Sequence, residues 1–158
     1  MLVLREAKAD DVATILRLIR ALAAYEREPD AVDATEADLL RDGFGPAPRF
    51  QVILAEWGGA PVGMAFYFFA YSTWRGRAVL YLEDLFVEPE HRGKGIGVAL
   101  MQALAKRAVA EKCPRFVWQV LDWNAPSIAF YEGLGAQVRR EWLTVRLEGE
   151  ALLRFAAR

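Results

Sequence analysis

Two residue types with much chemistry are nearly missing from this chain: Cys113 is its one cysteine and His91 its one histidine. A single thiol excludes an internal disulfide and a zinc site built from several cysteines, and nothing in it implies an oxidising compartment. An excess of one charge sign is missing as well. Twenty basic side chains stand against 21 acidic ones, a net charge of −1, so no broad basic surface is offered to nucleic acid or an anionic membrane. The most apolar segment, Val62 to Tyr71, is too short for a membrane helix and rich in the aromatic residues that suit a strand. The chain opens on Leu2-Val3-Leu4-Arg5, not on a basic region, an apolar stretch and a small-residue cleavage site, so a cytoplasmic protein is expected. There is no internal repeat or low-complexity linker. What is abundant is apolar surface, 54% of 158 residues, enough for one domain over residues 1–158 with a sizeable core.

The most informative segment is Val87-Glu88-Pro89-Glu90-His91-Arg92-Gly93-Lys94-Gly95-Ile96-Gly97. An apolar strand, Ala78 to Val87, precedes it, and Val98, Leu100, Met101, Leu104 and Val109 follow at helical spacing. Glycines at alternate positions leave the backbone N–H groups of Arg92 to Val98 bare at a helix start, and Arg92 and Lys94 add positive charge. The helix dipole works in the same direction. A pyrophosphate cradle fits. The Walker pattern fails because no Gly-Lys-Ser or Gly-Lys-Thr follows at the required interval, and the dinucleotide fingerprint fails because Leu100 stands where its third glycine belongs. A glycine-rich helix start with no ligand remains the plain alternative.

The rest of the chain reads as strands and helices in alternation. Leu2 to Glu6 is a predicted strand. Asp10 or Asp11 can cap a helix with Val12, Ile15, Leu16, Ile19 and Leu22 on one face, ending near Tyr25. The acidic stretch Glu26 to Asp33 suits a loop, and Thr35 with Asp38 forms a capping box for a short helix that packs Leu39 and Leu40 inward. Phe50 to Trp57 and Pro61 to Tyr71 flank Gly58-Gly59 as a hairpin. Phe116 to Leu121 is a predicted strand, Pro126 to Glu132 a short helix, and Gln137 to Leu147 a last strand region with a possible helix after it. The order predicts a mixed α/β sheet with helices on both faces.

Arg92-x-x-Gly95-x-Gly97 after an apolar strand is similar to the coenzyme A signature of the GCN5-related N-acetyltransferases (GNAT). Ala24-Tyr25-Glu26, Leu39 to Gly45, Leu80-Tyr81-Leu82-Glu83-Asp84 and Asn124-Ala125-Pro126-Ser127 with Phe130-Tyr131 resemble its diamine and thialysine branch, over nearly the whole chain. The resemblance implies the GNAT fold, a mostly antiparallel central sheet in which the parallel strands ending at Val87 and Leu121 splay apart to admit coenzyme A. It implies acetyl-CoA as co-substrate, with no metal, and a homodimer. It assigns the acetyl group and pantetheine arm to Leu85, Phe86 and Val87, and the pyrophosphate to Arg92, Gly93, Lys94, Gly95, Ile96, Gly97 and Val98. Asn124, Pro126 and Ser127 resemble a second cofactor contact and equally fit a plain helix cap.

Acetyl transfer to an amine needs a neutral amine, a polarised carbonyl and a proton for the departing thiolate. By resemblance Tyr131 supplies that proton, and it contacts the cofactor. Glu83 and Asp84 are neighbours on a strand, so strict alternation sends them to opposite faces. The resemblance assigns Glu83 to the substrate, holding the cationic amine or accepting its proton through water. Tyr25, Glu26, Trp74 and Glu141 resemble the amine pocket. Polyamine-specific members carry an aspartate before the tryptophan, where this chain has Ser72-Thr73-Trp74. That favours a lysine-like or thialysine-like amine over spermidine. His91 sits at the solvent-facing start of the cradle, away from the expected acetyl position, and Cys113 lies at the far end of a helix, so direct transfer in a ternary complex is expected over an acyl-enzyme. The rival readings are a protein lysine or N-terminal acetyltransferase and a sensor that binds acyl-CoA without turnover.

Overall fold

Five strands form one sheet in chain order: β1 Leu2–Glu6, β2 Gln51–Trp57, β3 Ala60–Ser72, β4 Arg77–Val87 and β5 Phe116–Trp118. The first four pair antiparallel, and β4 with β5 is the one parallel pair. The helices are α1 Val12–Tyr25, α2 Glu36–Phe44, α3 Ile96–Ala110, α4 Ala125–Gly133 and α5 Gly149–Ala156. The computed structural model describes residues 1–158, which divide into two units, Met1–Gln119 with the whole sheet and Val120–Arg158 with α4 and α5.

Each face of the sheet carries its own helices. On one, Ile15, Leu18 and Leu22 of α1 and Leu39 of α2 pack on Val52, Leu54, Met64 and Phe86. Phe50 and Phe66 stack there at 4.2 Å. On the other, α3 buries Ile96, Leu100, Met101 and Leu104. Arg107 of α3 bonds the hydroxyl of Tyr67, which donates to Gln51 at 2.8 Å, so odd-numbered β3 residues mark the α3 face. Burial of these aliphatic side chains, about 1.5–3 kcal/mol each, is what holds the layers together.

Local signals account for most boundaries. Gly58 and Gly59 take φ of +61° and +86°, which the two-residue β2–β3 hairpin requires. The capping box forms as expected, with the Thr35 hydroxyl accepting from the Asp38 N–H and the Asp38 carboxylate from the Thr35 N–H. Asp11 precedes α1 without capping it through its side chain. Its carboxylate instead accepts from Arg5 at 2.8 and 3.0 Å and from the Lys8 N–H at 2.7 Å.

Three expectations are corrected. Gln137 to Leu147 forms no strand, because alternation supplies side-chain pattern but a ladder needs a neighbouring strand, and Trp142, Leu143 and Val145 stay exposed. β5 ends at Trp118, three residues before Leu121. Leu40 faces solvent while Leu39 is buried, as a one-face helix dictates. The expected terminal helix is α5.

Candidate active site

β4 and β5 pair only over Leu80–Phe116, Tyr81–Val117 and Leu82–Trp118. Beyond Leu82, the β4 edge that faced β5 runs on to Val87 without a ladder partner on that side. Its other edge stays paired with β3 through Gly63–Val87. This leaves main-chain donors and acceptors of the Glu83–Val87 segment available for an extended ligand to add as a strand would. The chain then turns through Pro89–His91 into α3. Gly93 and Gly95 hold φ of +77° and +79°, and a Cβ at either would meet nothing within 4 Å. The glycines are therefore demanded by backbone conformation, and the space over them is open to a ligand. Gly95 is the N-cap of α3 and makes no side-chain cap bond, so the first-turn N–H groups and the positive dipole end meet that space directly. Lys94 lies 5.2 Å from the Trp57 ring. Arg92 turns back: its Nε donates to the Val87 carbonyl at 3.0 Å and its guanidinium lies 4.7 Å over Tyr25 and 5.7 Å from Phe86. Arg17 of α1 braces the same turn, bonding the Glu88 carboxylate and donating to the Pro61 carbonyl at 2.9 Å.

The carboxylates are arranged by a β-bulge. Tyr67 pairs with Leu82 and Phe66 with Asp84, so Glu83 is an extra residue on β4. The Tyr81 ring lies 5.1 Å from that of Phe68, tilted by 32°, and counting on by two puts Glu83 on that face. Asp84 pairs with Phe66 and Phe86 with Met64, on the same α1/α2 face. Both carboxylates thus share one face, contrary to strict alternation. Glu83 is exposed and Asp84 half-buried. Burial first, then the Glu83 charge, then Glu26 push the Asp84 carboxyl up to about 7. Glu26, the C-cap residue of α1, is itself raised by burial. Tyr25 and Glu26 at the end of α1, Glu83 and Asp84 at the bulge, and Arg92 in the turn form the polar edge of an otherwise apolar layer.

A family model described as the acetyltransferase (GNAT) family matches residues 13–136. A thialysine N-epsilon-acetyltransferase from Bos taurus is 43% identical over 98% of this chain and 97% of its own length. The chain belongs to the GNAT acetyltransferase family. A spermidine/spermine N(1)-acetyltransferase-like protein 1 from Homo sapiens is 40% identical over 97% of this chain and 23% of its own length. Among solved structures, an integron cassette protein from the mobile metagenome of V. cholerae superposes with a TM-score of 0.83 at 28% identity, covering 98% of this chain and 97% of that one.

The remaining residues that the GNAT resemblance singled out are placed as follows. In the second unit, Asn124 is buried and caps α4, its side-chain oxygen accepting from the Ser127 N–H at 3.3 Å, with Pro126 in the first turn. Tyr131 lies on α4, half-buried, its ring 5.3 Å from that of Phe130. Glu141 is exposed and ion-paired to Arg139 at 2.6 Å, and its own backbone N–H first, then Arg139, hold its carboxyl below the ordinary range. In the first unit, Trp74 is 95% exposed at the β3–β4 turn. At about 3.3 Å per residue it stands more than ~20 Å along β4 from Glu83, so Trp74 does not join Tyr25, Glu26, Glu83 and Asp84 within this chain. The His91 ring is largely sheltered, its Nδ1 buried and 3.9 Å from Glu88, not solvent-facing as its place in the sequence suggested. Two features were missed from sequence. Arg17 reaches Glu88 across 71 positions, a separation with no local signal. The bulge that turns Asp84 inward had one cue, two adjacent carboxylates interrupting an apolar strand.

Proposed function

We propose that this protein transfers the acetyl group of acetyl-CoA to a primary amine of a small molecule, of the lysine or thialysine kind, in a ternary complex. The observation that carries the reading is the β4 edge left unpaired beyond Leu82, leading into left-handed Gly93 and Gly95 at the bare start of α3. That continuity suits a molecule with an amide-bearing arm and a pyrophosphate. The arm adds along Leu85, Phe86 and Val87, and the pyrophosphate takes the N–H groups from Arg92 to Val98, with Lys94 adding charge. Asn124, Pro126 and Ser127 are a second contact, compatible with the cap they form. The family match crosses the boundary between the two units, which supports reading residues 1–158 as one acetyltransferase domain.

For the amine, Tyr25 offers an aromatic face, Glu26 a half-buried carboxylate and Glu83 an exposed one to a cation, and the resemblance adds Glu141 and Trp74, the latter standing apart from this set within one chain. An alkylammonium must lose a proton before its nitrogen can attack the thioester carbonyl carbon. As the C–S bond breaks, Tyr131 protonates the thiolate, and the second proton leaving nitrogen returns to the phenolate. The name of the bovine relative and Ser72-Thr73 before Trp74 both favour a thialysine-like amine, while the human relative keeps polyamines in the panel. A homodimer is part of the proposal, supported by the apolar side chains of α5 and of Trp142 to Leu147 that are exposed in the single chain.

Thiol release from acetyl-CoA, measured with lysine, thialysine, putrescine, spermidine, spermine and a lysine peptide for wild type and Tyr131→Phe, tests the reading. Turnover of one small amine that falls at least ~100-fold in the variant supports it. Preference for the peptide moves the protein to the protein acetyltransferases, and cofactor binding without turnover on any amine makes it a sensor.

A further inference from the structure

We infer that Glu88, Glu90 and His91 form a binding site for a zinc ion at the turn between β4 and α3, one that takes no part in the acetyl transfer and goes beyond the reading above. The site is set by local backbone. Pro89 fixes its own φ and opens a 3₁₀ turn, in which the His91 N–H donates to the Glu88 carbonyl at 2.9 Å and the Arg92 N–H to the Pro89 carbonyl at 3.2 Å. Residues three apart in such a turn lie one above the other, so Glu88 and His91 meet, with Glu90 beside them. Each of the three brings a ligand atom within 4.8 Å of the other two.

The histidine supplies an independent observation. Its Nδ1 is buried and has no hydrogen-bond partner, an arrangement that costs stability unless something occupies the nitrogen. A Glu88 carboxylate oxygen stands 3.9 Å from it, too far for a hydrogen bond. Two donors around a tetrahedral zinc ion, with Zn–N and Zn–O distances of about 2.0–2.2 Å, stand about 3.4 Å apart, so a small closure brings this pair to the required spacing. The other Glu88 oxygen is bonded by Arg17, which orients the carboxylate as outer-shell partners orient metal ligands. The guanidinium repels a cation, and the two carboxylates outweigh it. Glu90 is exposed, and rotation of its side chain completes the set. One imidazole nitrogen with two carboxylates suits zinc, whereas magnesium and calcium take oxygen donors alone. Water fills the fourth position. The ion ties the end of β4 to the turn that leads into Gly93 and Gly95, and it binds the folded chain in preference to the unfolded one.

The test is calorimetric titration of the full chain, free of any affinity tag and stripped with a chelator, with zinc chloride. Wild type is expected to bind one zinc ion, to melt at a higher temperature with zinc than without, and to ignore magnesium at the same concentration. Cobalt(II) in place of zinc should give the visible absorption of a tetrahedral site. His91→Ala and Glu90→Gln should each weaken zinc binding at least ~10-fold and lose the cobalt absorption, while Cys113→Ser should keep both. Zinc affinity unchanged in His91→Ala or in Glu90→Gln overturns the site, as does binding abolished by Cys113→Ser or absent from wild type at millimolar zinc. If His91→Ala does not fold, Glu90→Gln, altered at an exposed position, decides alone. Acetyl transfer by a protein that binds no zinc overturns this inference and leaves the proposed function standing.

Discussion

Asp84 is held in a protonation state that the unfolded chain does not share at the same pH. Its carboxyl is pushed up to about 7 from an ordinary value of 3.8, so between those two pH values the folded state holds a proton that the unfolded chain has released. Stability should therefore fall as pH rises through that window, by up to a few kcal/mol. Asp84→Asn, which removes the charge, is expected to be more stable than wild type at pH 8, with the difference closing toward pH 4; urea unfolding at both pH values measures it. Gly95 poses a different constraint. Its φ of +79° costs any L side chain about 1–2 kcal/mol although a Cβ there touches nothing. Gly95→Ala should lower the melting temperature slightly and weaken acetyl-CoA binding in calorimetry, because relief of that strain would move the N–H groups of the α3 first turn.

At the scale of elements, the site exists because β4 serves two neighbours unequally. It is paired with β3 to its end and with β5 for only three residues. Its outer half is held by β3 alone, and Gly63 makes that close approach possible: a Cβ there would stand 2.8 Å from the Phe86 carbonyl oxygen and 3.4 Å from Val87. Gly63→Ala forces backbone to move and is expected to cost about 1–3 kcal/mol in urea unfolding. It should also raise the KM for acetyl-CoA, since the strand pushed away is the one proposed to bind the pantetheine arm. The same substitution at Gly59, where φ is +86° and no atom lies within 4 Å, should leave that KM unchanged, which separates a local effect on β4 from general destabilisation.

For the molecule as a whole, apolar surface remains in the single chain. Leu153 and Phe155 of α5 and Leu143 and Val145 of the preceding segment are each more than 60% exposed. Groups of this kind leave water when a second surface is offered. Light scattering at micromolar concentration should give the mass of two chains, with a melting temperature that rises with protein concentration; a monomer at every concentration would reject the dimer. Val145→Asp together with Phe155→Glu should shift the mass toward one chain.

Periodicity and turn chemistry are local, and most of the architecture is written in them. The spacing of Ile15, Leu16 and Leu22, the Thr35–Asp38 box and Gly58-Gly59 mark α1, α2 and the first hairpin, and the alternate glycines mark the anion-ready start of α3. Those features depend on neighbours within a few residues, so the linear order suffices to read them. Where β4 leaves β5, which face Asp84 takes, the brace from Arg17 to Glu88 and the failure of Gln137 to Leu147 to become a strand depend on what lies opposite in space. One bulged residue reverses the facing of every side chain after it, and a strand pattern without a neighbour has nothing to bond. Register and pairing are properties of two segments at once, and only the folded chain decides them.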